Sequence, residues 1–154
     1  MVPNKVTISG TTYTVTAIAD NAFKNNKQLK NIVIGSNIKT IGKNAFMGCS
    51  NLKTVTIGKN VSNIGTKAFY KCTKLSKVTI PSKVNKIGKQ AFYGCKKLKN
   101  ITVKTTKLTK NNVGDKAFKG IYSKVKIKVP SSKYSGYKSL LKEKGVSAKA
   151  KYKK

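Results

Sequence analysis

The chain of 154 residues carries 34 lysines, no arginine, no histidine and three acidic residues, Asp20, Asp115 and Glu143, so its formal net charge is +31. This length predicts a single domain. Because general acids, general bases, catalytic triads and metal hydrolases need histidines and carboxylates, the composition argues against enzyme activity, and we expect no cofactor and no metal site.

The first predicted element is a β-hairpin. Lys5 to Ile8 and Tyr13 to Thr16 have the pattern of strands, and Ser9-Gly10-Thr11-Thr12 between them contains the glycine of a turn. We expect residues 1–17 to form an N-terminal cap.

The middle of the chain is repetitive. The unit Ile-Gly-x-x-Ala-Phe-x-x-Cys-x-x-Leu-x-x-Val-x-Ile recurs, with intervals of 23, 23, 23 and 26 residues between its Ala-Phe pairs: Ala22-Phe23, Ala45-Phe46, Ala68-Phe69, Ala91-Phe92 and Ala117-Phe118. Each unit joins a short alternating strand to an Ala-Phe segment that suits one or two helical or 3₁₀ turns. One unit cannot bury its own apolar residues. We therefore expect the units to stack as a solenoid over residues 18–130, with equivalent residues about 4.8 Å apart along the axis.

The last predicted elements form a C-terminal cap and basic tail over residues 131–154. Val125 to Pro130 alternates like a strand that proline ends, and Ser131 or Ser132 is suited to cap a helix through Leu140, Leu141 and Lys144 that Gly145 stops. Val146 to Tyr152 is predicted to return as a strand.

Three cysteines, Cys49, Cys72 and Cys95, occupy one position of the repeat. We expect them to form an inward row of free thiols that pack as small apolar groups. A disulfide between neighbouring units is the alternative, and it leaves the third cysteine unpaired. Zinc is disfavoured, because three stacked positions do not converge on one centre and no histidine supplies a fourth ligand.

The repeated unit resembles the leucine-rich repeats, and among them the bacterial surface group called BspA-like, from about Ile18 to Pro130. The edge units depart from the pattern, since Asn26 and Ile121 replace the cysteine and three residues are inserted before Val113. The resemblance implies an α/β repeat solenoid with a right-handed coil. It also implies an extracellular or cell-surface location, with the signal peptide absent from this chain, and a non-catalytic role in adhesion or protein–protein interaction.

If the apolar strand residues face inward, their neighbours form an outward sheet face, which the resemblance implies is the usual binding surface. The candidate ligand-binding residues on that face are Asn31, Val33, Thr54, Thr56, Lys77, Thr79, Asn100 and Thr102. Their small polar side chains suit hydrogen bonds to a protein or glycan of a host or neighbouring cell. The alternative is that a threonine ladder only stabilises an exposed sheet.

The lysines support a second hypothesis, salt-sensitive docking to anionic polymers such as cell wall, glycosaminoglycan or mucin. The candidate residues are Lys96, Lys97, Lys99, Lys126 and Lys128. Specific nucleic-acid recognition is disfavoured without arginine. No apolar stretch is long enough for membrane insertion.

A third hypothesis is a structural spacer without a ligand. The charge of +31 predicts a monomer.

Overall fold

The computed structural model describes Pro3 and residues 5–154. In chain order its strands are β1 Lys5–Ile8, β2 Thr11–Thr14, β3 Ala17–Ile18, β4 Asn31–Val33, β5 Thr40–Ile41, β6 Thr54–Thr56, β7 Asn63–Ile64, β8 Lys77–Ile80, β9 Lys86–Ile87, β10 Asn100–Val103, β11 Lys126–Lys128 and β12 Lys151–Lys153. A 3₁₀ turn, Ser131–Lys133, leads into the helix α1, Tyr134–Glu143.

The hairpin forms where the sequence predicts it, with a tighter turn. β1 and β2 are antiparallel, and Ile8 pairs with Thr11, so only Ser9 and Gly10 lie between the strands. Both residues have positive φ, 48° and 77°, as in the two-residue turns whose twist matches that of a hairpin. β2 therefore begins at Thr11 rather than at the predicted Tyr13.

Two parallel sheets line the solenoid. The longer sheet has the order β12-β11-β10-β8-β6-β4, and the shorter sheet has the order β3-β5-β7-β9. From β3 to β10, each strand residue pairs with a residue 23 positions away in the neighbouring coil, as Ile41 pairs with Ile64. The predicted repeat solenoid is thus confirmed.

Each coil contributes one phenylalanine to a stack through the core. Successive rings are 5.1–5.4 Å apart between centroids and within 8° of parallel, from Phe23 through Phe46, Phe69 and Phe92 to Phe118. Phe46, Phe69 and Phe92 are fully buried. This close, repeated packing of aromatic rings contributes both buried apolar area and ring–ring contact, so the stack is a main source of stability.

The Ala-Phe segments form single turns with hydrogen bonds of the 3₁₀ type, one of the two predicted alternatives, and not α-helical turns. Ala45 and Cys49 donate backbone hydrogen bonds three residues back, as in a 3₁₀ turn. Asn44 and Gly48, however, have φ of 56° and 72°, which breaks any helix. Alternate N–H groups bond to the next coil instead: those of Asn44, Phe46 and Gly48 donate to the carbonyls of Thr66, Ala68 and Tyr70 at 2.9, 2.8 and 2.8 Å. These segments therefore act as a third hydrogen-bonded side of the solenoid.

The C-terminal helix is present but starts differently from the prediction; it ends at Glu143, with Lys144 as its C-cap residue, close to the predicted stop at Gly145. Neither Ser131 nor Ser132 caps it; Lys133 is its N-cap residue, and no side chain bonds to the helix start. The serines are instead part of the 3₁₀ turn. The predicted strand from Val146 to Tyr152 shortens to β12, because Val146 bonds back to Leu141 and Ala150 to Ser147, and these bonds hold the connection in turns.

The loop that contains the three inserted residues contacts the helix α1 through Tyr137. This loop lies between β10 and Val113, and its Thr105 is fully buried. The Tyr137 hydroxyl donates to the Thr105 carbonyl at 3.1 Å and accepts from the Leu108 N–H at 2.9 Å. The break in the repeat is therefore the place where the C-terminal cap attaches.

Candidate functional site

The outward side chains of the longer sheet form one continuous surface, which we call the sheet face. The register of the six strands arranges it in two rows: Asn31, Thr54, Lys77, Asn100, Lys126 and Lys151, and beside them Val33, Thr56, Thr79, Thr102, Lys128 and Lys153. Thr54 and Thr102 are half-buried, and the other members of both rows are exposed. The structure thus brings all eight predicted ligand-binding residues onto one surface.

The half of the sheet face built from β4 and β6 is small and polar. Thr54 Oγ1 donates to Asn31 Oδ1 at 2.6 Å, so this pair satisfies part of its own hydrogen-bonding capacity. Val33, 42% exposed, is the apolar member of this half. The combination of hydroxyl, amide and one apolar side chain is suited to contact with another macromolecule's surface.

The other half of the sheet face is basic. Lys126 is paired with Lys151, and Lys128 with Lys153, on adjacent strands β11 and β12. Neighbouring strands lie about 4.8 Å apart, so the four lysine side chains leave the sheet from a small patch. Among the residues that the structure describes, none of these four lysines makes a salt bridge. Repulsion between them is therefore uncompensated within this part of the chain, and an anion binding there would relieve it.

Sequence reasoning predicted Lys126 and Lys128 but missed Lys151 and Lys153 as part of the same surface. The sequence does contain a signal, because Lys151-Tyr152-Lys153 has the same alternation as Lys126-Ile127-Lys128. The pairing of the returning strand β12 with β11 is what makes the two segments neighbours.

The remaining predicted polyanion residues are divided between two places. Lys96 and Lys97 lie on an exposed turn before β10 and away from the sheet face. Lys99 lies directly before β10, with its Nζ 5.5 Å from the centre of the Tyr122 ring. Lys99 therefore belongs to the basic half of the sheet and the other two do not.

The acidic residues lie elsewhere. Asp115 Oδ1 is 3.3 Å from Nζ of the buried Lys144, and Glu143 Oε1 is 3.5 Å from the same atom. Asp20 Oδ1 accepts the Lys43 N–H at 2.6 Å. These carboxylates support the fold at its two ends and leave the charge of the sheet face unopposed.

The three thiols belong to the core, as predicted. Cys49, Cys72 and Cys95 are free and fully buried, and their Sγ atoms donate to the carbonyls of Phe23, Phe46 and Phe69 at 2.9, 3.1 and 3.2 Å. Burial raises the pKa of Cys95 to about 12, and it raises the pKa values of Cys49 and Cys72 as well. The thiolate, which is the nucleophilic form, is therefore strongly disfavoured in the folded chain.

Two further observations concern metal and membrane. Over Pro3 and residues 5–154 there is no group of three His, Cys, Asp or Glu side chains arranged to hold a metal ion. Within the same residues, no helix has the length and apolar character needed to cross a bilayer.

Comparison with protein families gives a match over most of the chain. The model described as a BspA type leucine rich repeat region matches residues 16–144, in six copies. No curated protein matches the chain.

Solved structures with a similar fold come from several bacteria. A leucine-rich repeat protein from Bacteroides capillosus is 32% identical over 55% of this chain and 62% of its own, with a TM-score of 0.53. The leucine rich repeat protein of T. pallidum is 25% identical over 83% of this chain and 56% of its own, with a TM-score of 0.68. A leucine rich cell surface protein from Faecalibacterium prausnitzii is 25% identical over 86% of this chain and 48% of its own, with a TM-score of 0.51. The chain thus spans between 48% and 62% of the length of these structures.

Proposed function

Because this chain belongs to the BspA-type leucine-rich repeat family, we propose that it is a binding module of a bacterial surface or secreted protein and acts in adhesion. Leucine-rich repeat proteins are generally non-catalytic modules of protein interaction. The similarity to a protein described as a leucine rich cell surface protein supports a location at the cell surface. The partner is a protein or glycan on a host or neighbouring cell.

The observation that supports this proposal is the sheet face, on which the parallel pairing of the strands aligns the exposed side chains in rows. Backbone hydrogen bonds between parallel strands fix two rows of exposed side chains. Such a surface is largely preorganised, so a partner binds it with little loss of conformational entropy. The buried rows beneath it, which include Val78 and Ile101, make the surface rigid.

The experiment is to block the sheet face with a bulky charged side chain. Thr79 is exposed near the middle of the face, and Thr79→Arg is expected to lower affinity for a matrix protein or mucin at least about tenfold. The chain is tested against immobilised extracellular-matrix proteins and mucin by surface plasmon resonance, at low and high salt. Circular dichroism establishes that the variant is folded.

Thr106→Arg is the matched control. It adds the same side chain at an exposed position in the loop after β10, off the sheet face. We expect it to bind like the unmodified chain. Equal affinity for Thr79→Arg and Thr106→Arg would contradict the proposal, and absence of binding to every surface in the panel would favour a structural spacer.

The paired lysines of β11 and β12 favour a second candidate function, docking to an anionic polymer. Changing Lys126, Lys128, Lys151 and Lys153 to Glu is expected to abolish binding to such a polymer at physiological salt. With the unmodified chain, binding is expected to weaken steeply as salt rises, because each contact releases condensed counterions. If the fourfold charge reversal leaves polymer binding and its salt dependence unchanged, this candidate is wrong.

A further inference from the structure

A pocket lies at the basic edge of the sheet face, where β10, β11 and β12 begin. Its volume is about 320 Å³, and it is lined by Lys99, Asn100, Tyr122, Lys124, Lys126 and Lys151. Ligand pockets in proteins begin at about 300 Å³, so this one suits a single small unit rather than an extended surface.

The walls combine positive charge with one aromatic ring. Four of the six lining residues are lysines, and none is acidic. Tyr122 is 36% exposed, and the Lys99 ammonium sits 5.5 Å from its ring centre, a cation–π distance that holds both side chains in place. Lys126 and Lys151 are direct partners across β11 and β12.

The ring of Tyr122 differs in its surroundings from that of Tyr70. Tyr70 also lies near lysine ammonium groups, those of Lys67 and Lys71, but its ring is stacked on Tyr93 with 5.2 Å between centroids. Over the residues described, Tyr122 is stacked on no other ring. The Lys99 ammonium covers one face of the Tyr122 ring, and within the described part of the chain no second ring covers the other face as Tyr93 covers Tyr70.

We propose that this pocket binds one unit of an acidic polysaccharide, with a sugar ring against Tyr122 and its sulfate or carboxylate among Lys124, Lys126 and Lys151. The Asn100 amide is placed to hydrogen-bond a sugar hydroxyl. Lysine supplies compact point charges that satisfy a sulfate or carboxylate without the planar fork of arginine. This inference rests on the proposed docking to anionic polymers and specifies the class of polymer.

The lysines on β11 and β12 also indicate that the polymer runs along these two strands. Lys128 and Lys153 lie two residues along the strands from Lys126 and Lys151, at a distance of about 6.6 Å. The next anionic group of a chain seated in the pocket would reach this second pair. Single-stranded nucleic acid is less well matched, because its binding sites stack successive bases on several aromatic rings and this pocket offers one.

The experiment uses a heparin-derived sulfated tetrasaccharide and isothermal titration calorimetry. Tyr122→Ala is expected to weaken binding about fivefold, through loss of the ring contact. Lys126→Ala combined with Lys151→Ala is expected to weaken it at least about tenfold and to lower the dependence of log affinity on log salt by about two. A tetrasaccharide that is desulfated, N-acetylated and carboxyl-reduced, and therefore neutral, is expected to bind too weakly to measure.

Matched controls remove the same groups elsewhere. Tyr13→Ala removes a tyrosine that is 52% exposed on the hairpin, and Lys24→Ala combined with Lys43→Ala removes two exposed lysines from the turns of the first two coils. Both are expected to bind the tetrasaccharide like the unmodified chain. Tyr122→Phe keeps the ring and is expected to keep the affinity, which separates loss of the contact from loss of folding.

Three results would contradict the proposed pocket. Tyr122→Ala could bind the tetrasaccharide as Tyr13→Ala does, or the neutral tetrasaccharide could bind as tightly as the sulfated one. Alternatively, an eight-nucleotide DNA strand could bind more tightly than the tetrasaccharide and lose affinity in the same variants. None of them bears on the binding of matrix proteins tested with Thr79→Arg. If instead the fourfold Lys→Glu variant loses polymer binding while Tyr122→Ala binds the tetrasaccharide as Tyr13→Ala does, the docking surface stands and the pocket does not. If the fourfold variant binds the polymer unchanged, both are wrong, because Lys126 and Lys151 belong to both.

Discussion

The two ends of the solenoid are built from equivalent repeat positions and are covered very differently. At the C-terminal end, α1 packs Tyr137 and Leu141 onto the last coil, and Phe118 is 1% exposed. At the N-terminal end, Phe23 and Leu29 are only half-buried, although they occupy the positions of buried residues in the interior coils. The repeat thus supplies the same side chains to every coil, and the neighbour on each side decides how much they contribute.

Hydrogen bonding also ties the C-terminal cap to the coils more closely than the N-terminal hairpin. The C-terminal cap continues the ladder of the coils, because the Phe118 N–H donates to the Lys144 carbonyl at 3.0 Å. The buried Lys144 side chain is also paired with Asp115 and Glu143. The hairpin, by contrast, pairs its strands with each other, and all of β2 is exposed. We therefore expect the free energy of local opening to be lower at the N-terminal end.

The largest expected effect comes from Phe→Ala substitutions in the phenylalanine stack, one in its middle and one at its N-terminal end. Phe69→Ala removes a fully buried ring stacked between Phe46 and Phe92, and should lower the free energy of unfolding by about 3–5 kcal/mol. Phe23→Ala removes a half-buried ring stacked on Phe46 alone, and should lower it by less than about 2 kcal/mol. Urea denaturation followed by circular dichroism measures both. Equal losses would mean that the first coil is packed as tightly as the interior.

The interior coils were predictable because each relevant residue recurs in register. Phe69, Cys72 and Val78 are each one of several equivalents, so the pattern identifies their inward direction without any knowledge of the fold. The eight predicted residues of the sheet face follow from the same alternation. In the Ala-Phe segments the sequence left helical and 3₁₀ turns as alternatives, because the hydrogen bonds of Asn44 and Gly48 to the next coil, which compete with a local helix, cannot be seen in one unit.

The ends were harder to predict because they do not repeat. Nothing in the tail alone shows that Lys151 pairs with Lys126, since this depends on where α1 returns the chain. The pocket beside Tyr122 has the same origin, because its lining comes from three segments that are distant in sequence. Composition gave the amount of positive charge, and the tertiary fold gave its location.

A smaller expected effect uses the three thiols as reporters of opening along the stack. All are buried, so a thiol reagent reaches each only after local unfolding. We expect Cys49, whose Sγ bonds to the first coil at Phe23, to react about 100-fold faster than Cys95, a difference of about 2.7 kcal/mol in opening free energy. Cys72 should react at an intermediate rate. Alkylation of the native chain followed by peptide mass spectrometry measures the three rates.

Labelling in denaturant provides the reference for these rates. There the three cysteines should react alike, since burial no longer affects them. If Cys95 reacts first in the native chain, the C-terminal end opens more readily and the comparison of the two ends is reversed.

The smallest expected effect isolates the hydroxyl that joins the helix to the inserted loop. Tyr137→Phe keeps the ring in its buried site but leaves the Leu108 N–H without its acceptor and the Thr105 carbonyl without that donor. Loss of one buried hydrogen-bonding group should lower the free energy of unfolding by about 1–2 kcal/mol. Tyr13→Phe, at an exposed position of the hairpin, should change it by less than about 0.5 kcal/mol. Thr105 and Leu108 lie in the loop that contains the three-residue insertion. A near-zero result for Tyr137→Phe would therefore show that apolar contact alone attaches the cap. The break in the repeat would then be tolerated by the fold rather than required by it.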